Sequence, residues 1–240
     1  MSTLYFKASL DNTSQPVGQS LVFSPLRQLA LKDRRDLGMG PTFKLMVGEK
    51  MVGKEIPKRA AMAMSKFFND ALSKYPRSTT IMLGPHDVSE DCVLVIVDFI
   101  TSNVKVNNPF NLRTKEHFGR ELALYRHAGL FGMMHHAGSM RASLLEDLNH
   151  NIHIPSYNAL NEISELPDTD IVYKMAVRRM EGLEHIGELT GDQEWLAWLN
   201  EHDHFAIDMD AWKAERKARD AEKREVQREI NFERNFPALK

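Results

Sequence analysis

The clearest alternation of apolar and other residues in the chain begins at Phe43. Phe43, Leu45 and Val47 fall on one face of an extended segment, which predicts a half-buried strand. A turn at 48–50 and a short second strand over 51–56 complete a hairpin. Because a single hairpin is only marginally stable in water, its apolar face must be covered by other elements.

Helical periodicity after the hairpin predicts that cover. Apolar residues recur three and four positions apart at Ala60, Ala61, Met64, Phe67, Phe68, Ala71 and Leu72. A third strand is predicted over 79–83, and Ser89 or Asp91 is expected to cap a helix that continues to about Thr101. We therefore expect a short sheet capped by helices, which is an α+β arrangement.

The second half of the chain has the spacing of helices almost throughout. One helix is predicted near 118–129 and another from about Met133 to Leu148. Further along, Asp168 or Thr169 is expected to cap a helix in what reads as an all-helical extension.

Two tryptophans and a charged tail follow in the same extension. Thr190 with Gln193 has the spacing of a capping box. Trp195 and Trp198 lie three residues apart and so share a helical face, where we expect them to join the core rather than a partner's groove. The tail over 212–234 mixes both charge signs densely, which favours a solvated or partner-docked helix.

The first 40 residues have a different composition from the remainder. They are rich in Ser, Gln, Asn and Gly and carry a basic cluster around Arg34 and Arg35, which we interpret as a solvated arm. The predicted organisation is therefore a flexible N-terminal arm at 1–40, an α+β domain at 41–148, a helical extension at 149–205 and a charged C-terminal helix at 206–240.

Composition narrows the class of protein. The net charge of the 240 residues is -2, so no overall basic field exists to bind a nucleic-acid backbone. The one cysteine, Cys92, lies in an apolar run and is predicted to be buried. Because a single cysteine cannot form a disulfide within the chain, we expect a reducing compartment. With no secretory signal and no apolar run long enough for a membrane, we expect a soluble cytoplasmic or nuclear protein.

Candidate chemistry is sparse. His135 and His136 are adjacent and would point apart on a helix, while His202 and His204 flank a predicted helix end. His127 is expected to be structural. No nucleophile, zinc-protease or phosphate-loop motif occurs. We therefore predict no catalytic residues, no metal, no cofactor and no enzyme activity.

Several short motifs, taken in order, resemble the BTB/POZ family over about 42–148. They are Phe43–Gly48 for its first strand, Ile56-Pro57-Lys58 for its apolar-x-His-Lys entry, Ser65–Phe68 for its Ser-x-Phe-Phe turn, Val97–Thr101 for a helix end and Glu121–Met133 for a later helix. The helices beyond are similar to the extension of short fungal-type members. The resemblance implies a BTB/POZ-like core, and with it a protein-interaction adaptor or scaffold.

Departures from the family pattern limit what the resemblance implies. Thr42 stands where dimeric members have a buried Asp, and Pro57 replaces a His, so the homodimer is left open. The stretch 72–77 has no Glu of the kind typical of members that recruit cullin-3. A cullin-3 ubiquitin-ligase adaptor and a chromatin or nucleic-acid-associated subunit are the alternative functions. Protein partners are expected at Met51, Lys58, Tyr75, Phe131 and Met134.

Overall fold

The computed structural model describes residues 3–6, 29–106, 111–113, 117–150, 155–189 and 191–235. It has two compact units, Met1–Leu144 and Leu145–Lys240. The fold is mixed α+β and mostly helical, with one small sheet in the first unit.

The sheet is built around the strand that the alternating pattern predicted. Its strands are β1 (Thr3–Phe6), β2 (Thr42–Val47), β3 (Lys50–Met51), β4 (Ile56–Pro57) and β5 (Thr80–Leu83). The central strand β2 pairs in parallel with β5 and antiparallel with β3 and β4, and β1 adds in parallel to the other edge of β5. The second strand predicted over 51–56 is therefore two shorter strands, with a bend at Gly53 between them.

The helices that begin in the first unit follow and interleave with the strands. They are α1 (Leu31–Leu37), α2 (Lys58–Met64), α3 (Lys66–Lys74), α4 (Glu90–Asn103), α5 (Phe118–Leu130) and α6 (Gly138–His150), with a short 3-10 turn at Met134–His136. The boundary between the units falls within α6.

Ser65 divides the helix that the periodicity predicted as continuous. Its backbone is extended, with φ -134° and ψ 122°, and its hydroxyl accepts the N–H of Phe68 at the start of α3. The same hydroxyl donates to the Phe131 carbonyl at 2.6 Å. A buried side chain that caps one helix and anchors another segment thus overrides helical periodicity at this point.

The predicted cover of the hairpin is confirmed by the aromatic contacts. The ring of Phe43 on β2 lies 5.3 Å from that of Phe68 on α3, and Phe131 lies 5.3 Å from Phe68. On the other side, α4 packs on the hairpin at Gly53, where an added methyl group would lie 2.9 Å from Val97. The apolar face of the hairpin is therefore buried, as its marginal intrinsic stability requires.

The prediction of a flexible arm is wrong for its last part. Residues Leu31–Leu37 form α1, and the Arg34 side chain is 4% exposed and donates to the Val106 carbonyl at 2.8 Å. Arg34 is therefore a structural residue beside the end of α4 and is not available as a surface cation. Positions 7–28 of the predicted arm lie outside the described residues.

The second unit is helical. It contains α7 (Tyr157–Ser164), α8 (Ile171–His185), α9 (Gln193–Glu201) and α10 (Asp203–Asn235). The predicted caps were close but wrong in detail. Asp170, rather than Asp168 or Thr169, accepts from the first turn of α8, and Asp192 caps α9, while Thr190 lies outside the described residues.

The core placement of Trp195 and Trp198 is confirmed. Their rings stack 5.4 Å apart and are 1% and 6% exposed, and Phe205 of α10 packs edge-on against Trp198. The Trp198 indole N–H donates to the Asn161 side chain at 2.6 Å. This cluster joins α7, α9 and the beginning of α10 into one core.

Candidate interaction surface

Helices α8 and α10 lie side by side and run in the same direction. Tyr173 donates its hydroxyl to Asp208 at 2.7 Å, and Arg216 binds Glu181 through both guanidinium edge nitrogens, at 3.0 and 2.7 Å. Both contacts join residues 35 positions apart. A constant offset between contacting residues means that the two helices are parallel and in register.

The face of α10 that packs on α8 and α9 has heptad spacing. Phe205 and Met209 are buried, and Trp212 and Arg216 are half-buried. These positions are four, three and four residues apart, which keeps them on one stripe of the helix. The same spacing continues through Arg219 and Lys223 to the apolar pair Val226 and Ile230. The full series is Phe205, Met209, Trp212, Arg216, Arg219, Lys223, Val226 and Ile230.

Helix α10 extends beyond the last residue of α8, the helix that packs against this face. Helix α8 stops at His185, which the constant offset places level with Asp220. Every residue of α10 from 217 to 232 is exposed. Val226 and Ile230 are 49% and 52% exposed, although they continue the stripe that is buried earlier in the same helix. We call residues 217–232 the distal segment of α10.

The end of the packed part is marked by a cation–π arrangement. The guanidinium groups of Arg178 on α8 and Arg219 on α10 lie 5.8 and 5.5 Å from the centre of the Trp212 ring. Arginine is well suited to such stacking because its guanidinium is planar and weakly hydrated. Beyond Arg219 the stripe carries Lys223 and then the two exposed apolar residues.

A shallow cleft of about 420 Å³ opens beside the packed part of α10. Its walls include Tyr173, Asp208, Trp212 and Glu215. Burial, followed by the hydrogen bond to Asp208 and its charge, raises the pKa of the Tyr173 phenol well above its usual range. The cleft is therefore lined by the same groups that link α8 to α10, and its polar chemistry is structural.

The predicted partner contacts divide into two groups. Met51 and Tyr75 are 36% and 38% exposed, and Met134 is partly exposed, so their role as partner contacts stays a prediction. For Lys58 and Phe131 the prediction is wrong, because both side chains are buried. Lys58 donates to the Pro76 carbonyl at 2.7 Å, and Phe131 packs 5.3 Å from two phenylalanine rings.

His127, His202 and His204 each have a hydrogen-bond partner in the structure. His127 is fully buried, accepts the Ser89 backbone N–H at 2.8 Å through Nε2 and donates to the Ala123 carbonyl through Nδ1. His202 bonds the Trp198 carbonyl and stacks on its ring, and His204 bonds a carbonyl of α7. Among the described residues, no three His, Cys, Asp or Glu side chains are grouped as metal ligands would be.

The dense mixture of charges in the tail gives no sign of the distal segment at the level of sequence. The small residues Ala214 and Ala221 lie on the side of α10 opposite Val226 and Ile230. The signal that predicts the surface is the heptad continuing from Trp212, which becomes informative only once the end of α8 is known.

No helix within the described part of the chain has the length and apolar character that crossing a membrane requires. No protein-family model matches the chain, and neither the curated proteins nor the solved structures include a significant match to it.

Proposed function

We propose that this protein is a non-enzymatic adaptor that binds other proteins, and that the distal segment of α10 is one of its contact surfaces. The proposal depends on one observation. The stripe of α10 that packs against α8 and α9 as far as Arg216 continues to Val226 and Ile230, and both of these apolar residues are exposed. A helix stripe of this kind is stabilised when another element covers it.

The first unit contributes a second surface to this proposal. A BTB/POZ-like core is supported by the order of its elements, in which a hairpin is followed by two helices, a third strand parallel to the first, and then further helices. Exposed Met51 and Tyr75 lie on this unit, which gives a contact region separate in sequence from the distal segment. Two such regions on one chain are what an adaptor needs in order to connect partners.

The nucleic-acid alternative has less support than the adaptor. It depends on Arg34, Arg35 and the basic residues of the tail. Arg34 is buried, and the tail over 212–234 holds eight Lys and Arg against six Asp and Glu, so its excess of positive charge is small. The net charge of -2 also provides no general attraction for a phosphate backbone.

The test is recovery of bound proteins from cells that express the tagged full-length chain, followed by mass spectrometry. The informative variant is Val226→Glu with Ile230→Glu. Its matched control is Ala214→Glu with Ala221→Glu, which adds the same charge on the opposite, exposed side of α10. We expect a set of proteins that the wild type and the control retain and that the variant loses. Recovery of the same proteins by all three chains would refute the distal segment as a contact surface.

A further inference from the structure

We infer that Arg178 and Arg219 bind a phosphate monoester on a partner protein, namely a phosphorylated serine or threonine side chain. The two guanidinium groups lie 5.8 and 5.5 Å from the centre of the Trp212 ring, and α8 contributes one of them and α10 the other. The inference goes beyond the proposed function, because it concerns these charged groups and not the apolar pair Val226 and Ile230.

The two arginines beside the indole differ from their neighbours in having no carboxylate partner. Along the same two helices, Arg216 binds Glu181 at 2.7 Å and Lys213 lies 3.8 Å from Glu184. Among the side chains that the structure describes, no carboxylate lies within ion-pair distance of either arginine beside the indole. Two positive charges held beside one ring repel each other, and an anion that contacts both removes that repulsion.

Two guanidinium groups suit a phosphate monoester better than a carboxylate. A phosphate monoester carries a charge of about −1.5 to −2 at pH 7 and has three acceptor oxygens, so it can accept hydrogen bonds from both arginines. A carboxylate has two oxygens, and the planar fork of one arginine occupies both of them. Arg178 and Arg219 are exposed, so their long side chains can turn from the ring to an anion, with which they form stronger contacts.

The surroundings of Trp212 favour a phosphate on a protein over a nucleic-acid strand. Asp208 and Glu215 line the cleft beside the indole, and their negative charge repels a continuous phosphate backbone. A phosphorylated side chain presents its charge at one point, so this repulsion is smaller. Trp212 is only half-buried, and the exposed part of its ring can contact apolar residues of the partner next to the phosphate.

Nuclear magnetic resonance of the isotope-labelled full-length chain tests the site directly. The chain has three tryptophans, and the indole N–H signal of Trp212 is the one that Trp212→Phe removes. The probe is the peptide Ala-Leu-phosphoserine-Leu-Ala, whose leucines can contact the indole. It should shift the Trp212 signal in a saturable way, with a dissociation constant on the order of 0.1–1 mM, because one phosphate provides most of the binding free energy. The same peptide without phosphate should leave the signal unshifted.

Two charge-matched variants show whether binding depends on the arginines beside the indole. Arg178→Gln with Arg219→Gln should weaken binding of the phosphopeptide at least about tenfold, because both guanidinium groups are lost. Arg224→Gln with Arg228→Gln removes the same charge from exposed positions further along α10. This control should weaken binding less than about twofold, since salt screens charges at that distance.

Several results would overturn the inference. They are a Trp212 signal that does not shift with up to about 10 mM phosphopeptide, equal binding of the unphosphorylated peptide, and an equal loss of affinity in the two variants. Inorganic phosphate that binds as tightly as the phosphopeptide would assign the site to a free anion, and a DNA or RNA oligonucleotide that binds more tightly would assign it to nucleic acid. Either result refutes a phosphorylated protein as the ligand.

Discussion

Replacing Arg216 with Met while Glu181 remains is expected to destabilise the second unit by about 2–3 kcal/mol. The Glu181 side chain is 6% exposed and accepts three hydrogen bonds from the Arg216 guanidinium, at 2.7, 3.0 and 3.2 Å. Leaving one charge of a buried pair without its partner costs about 3–5 kcal/mol. Because the Arg216 side chain is 23% exposed, water reaches the pair from that side, and the expected cost falls to the bottom of this range or just below it, at about 2–3 kcal/mol.

The assay can be confined to the second unit. All three tryptophans of the chain, Trp195, Trp198 and Trp212, lie in that unit, so urea unfolding followed by tryptophan fluorescence reports on it alone. A loss of about 2–3 kcal/mol in a unit of this size lowers Tm by roughly 10–20 °C.

Two further variants make the experiment decisive. Lys213→Met removes a neighbouring contact to Glu184 on the same two helices, but that pair is 3.8 Å apart and well exposed, so its loss should cost less than about 1 kcal/mol. Replacing Glu181 together with Arg216 by Met should recover most of the loss, since no buried charge then remains. If Arg216→Met is no more destabilising than Lys213→Met, the reasoning from burial is wrong.

Three other substitutions have defined outcomes. Gly53→Ala should destabilise the first unit by about 1–3 kcal/mol in denaturation followed by circular dichroism, because its φ is +69° and the new methyl group meets Val97 at 2.9 Å; unchanged stability would contradict this. Ser65→Ala should cost a similar amount in the same assay, about 1–3 kcal/mol, because it removes a helix cap and a buried hydrogen bond. Burial and the bond to Asp208 raise the pKa of Tyr173, so the unfolded chain releases its phenolic proton first and stability should fall as pH rises above about 10. Tyr173→Phe should flatten that alkaline loss, and an unaltered pH profile would count against the assignment.

Local patterns in the sequence were enough to identify most elements of the chain. The alternation at Phe43, Leu45 and Val47 predicted β2, and apolar spacing predicted the helices that cover it. The helical spacing of Trp195 and Trp198 predicted that both side chains join the core, and both are buried. These predictions succeed because strand and helix periods are properties of neighbouring residues, and a segment with one apolar face must bury that face.

What local patterns miss depends on neighbours that are distant in sequence. Lys58 and Phe131 look like surface candidates in the sequence, yet a carbonyl 18 residues away and two aromatic rings bury them. Arg34 likewise is buried by contact with Val106.

The exposed surface on α10 also depends partly on local spacing and partly on distant contacts. The heptad spacing from Phe205 to Ile230 can be read from the sequence, and it determines which side of the helix is apolar. Where burial of that side stops is decided by α8, which ends at His185 and leaves Val226 and Ile230 exposed. Periodicity fixes the face of a helix because it depends only on the spacing of residues along the chain. The exposure of that face depends on the length of the element packed against it, and only the tertiary structure determines that.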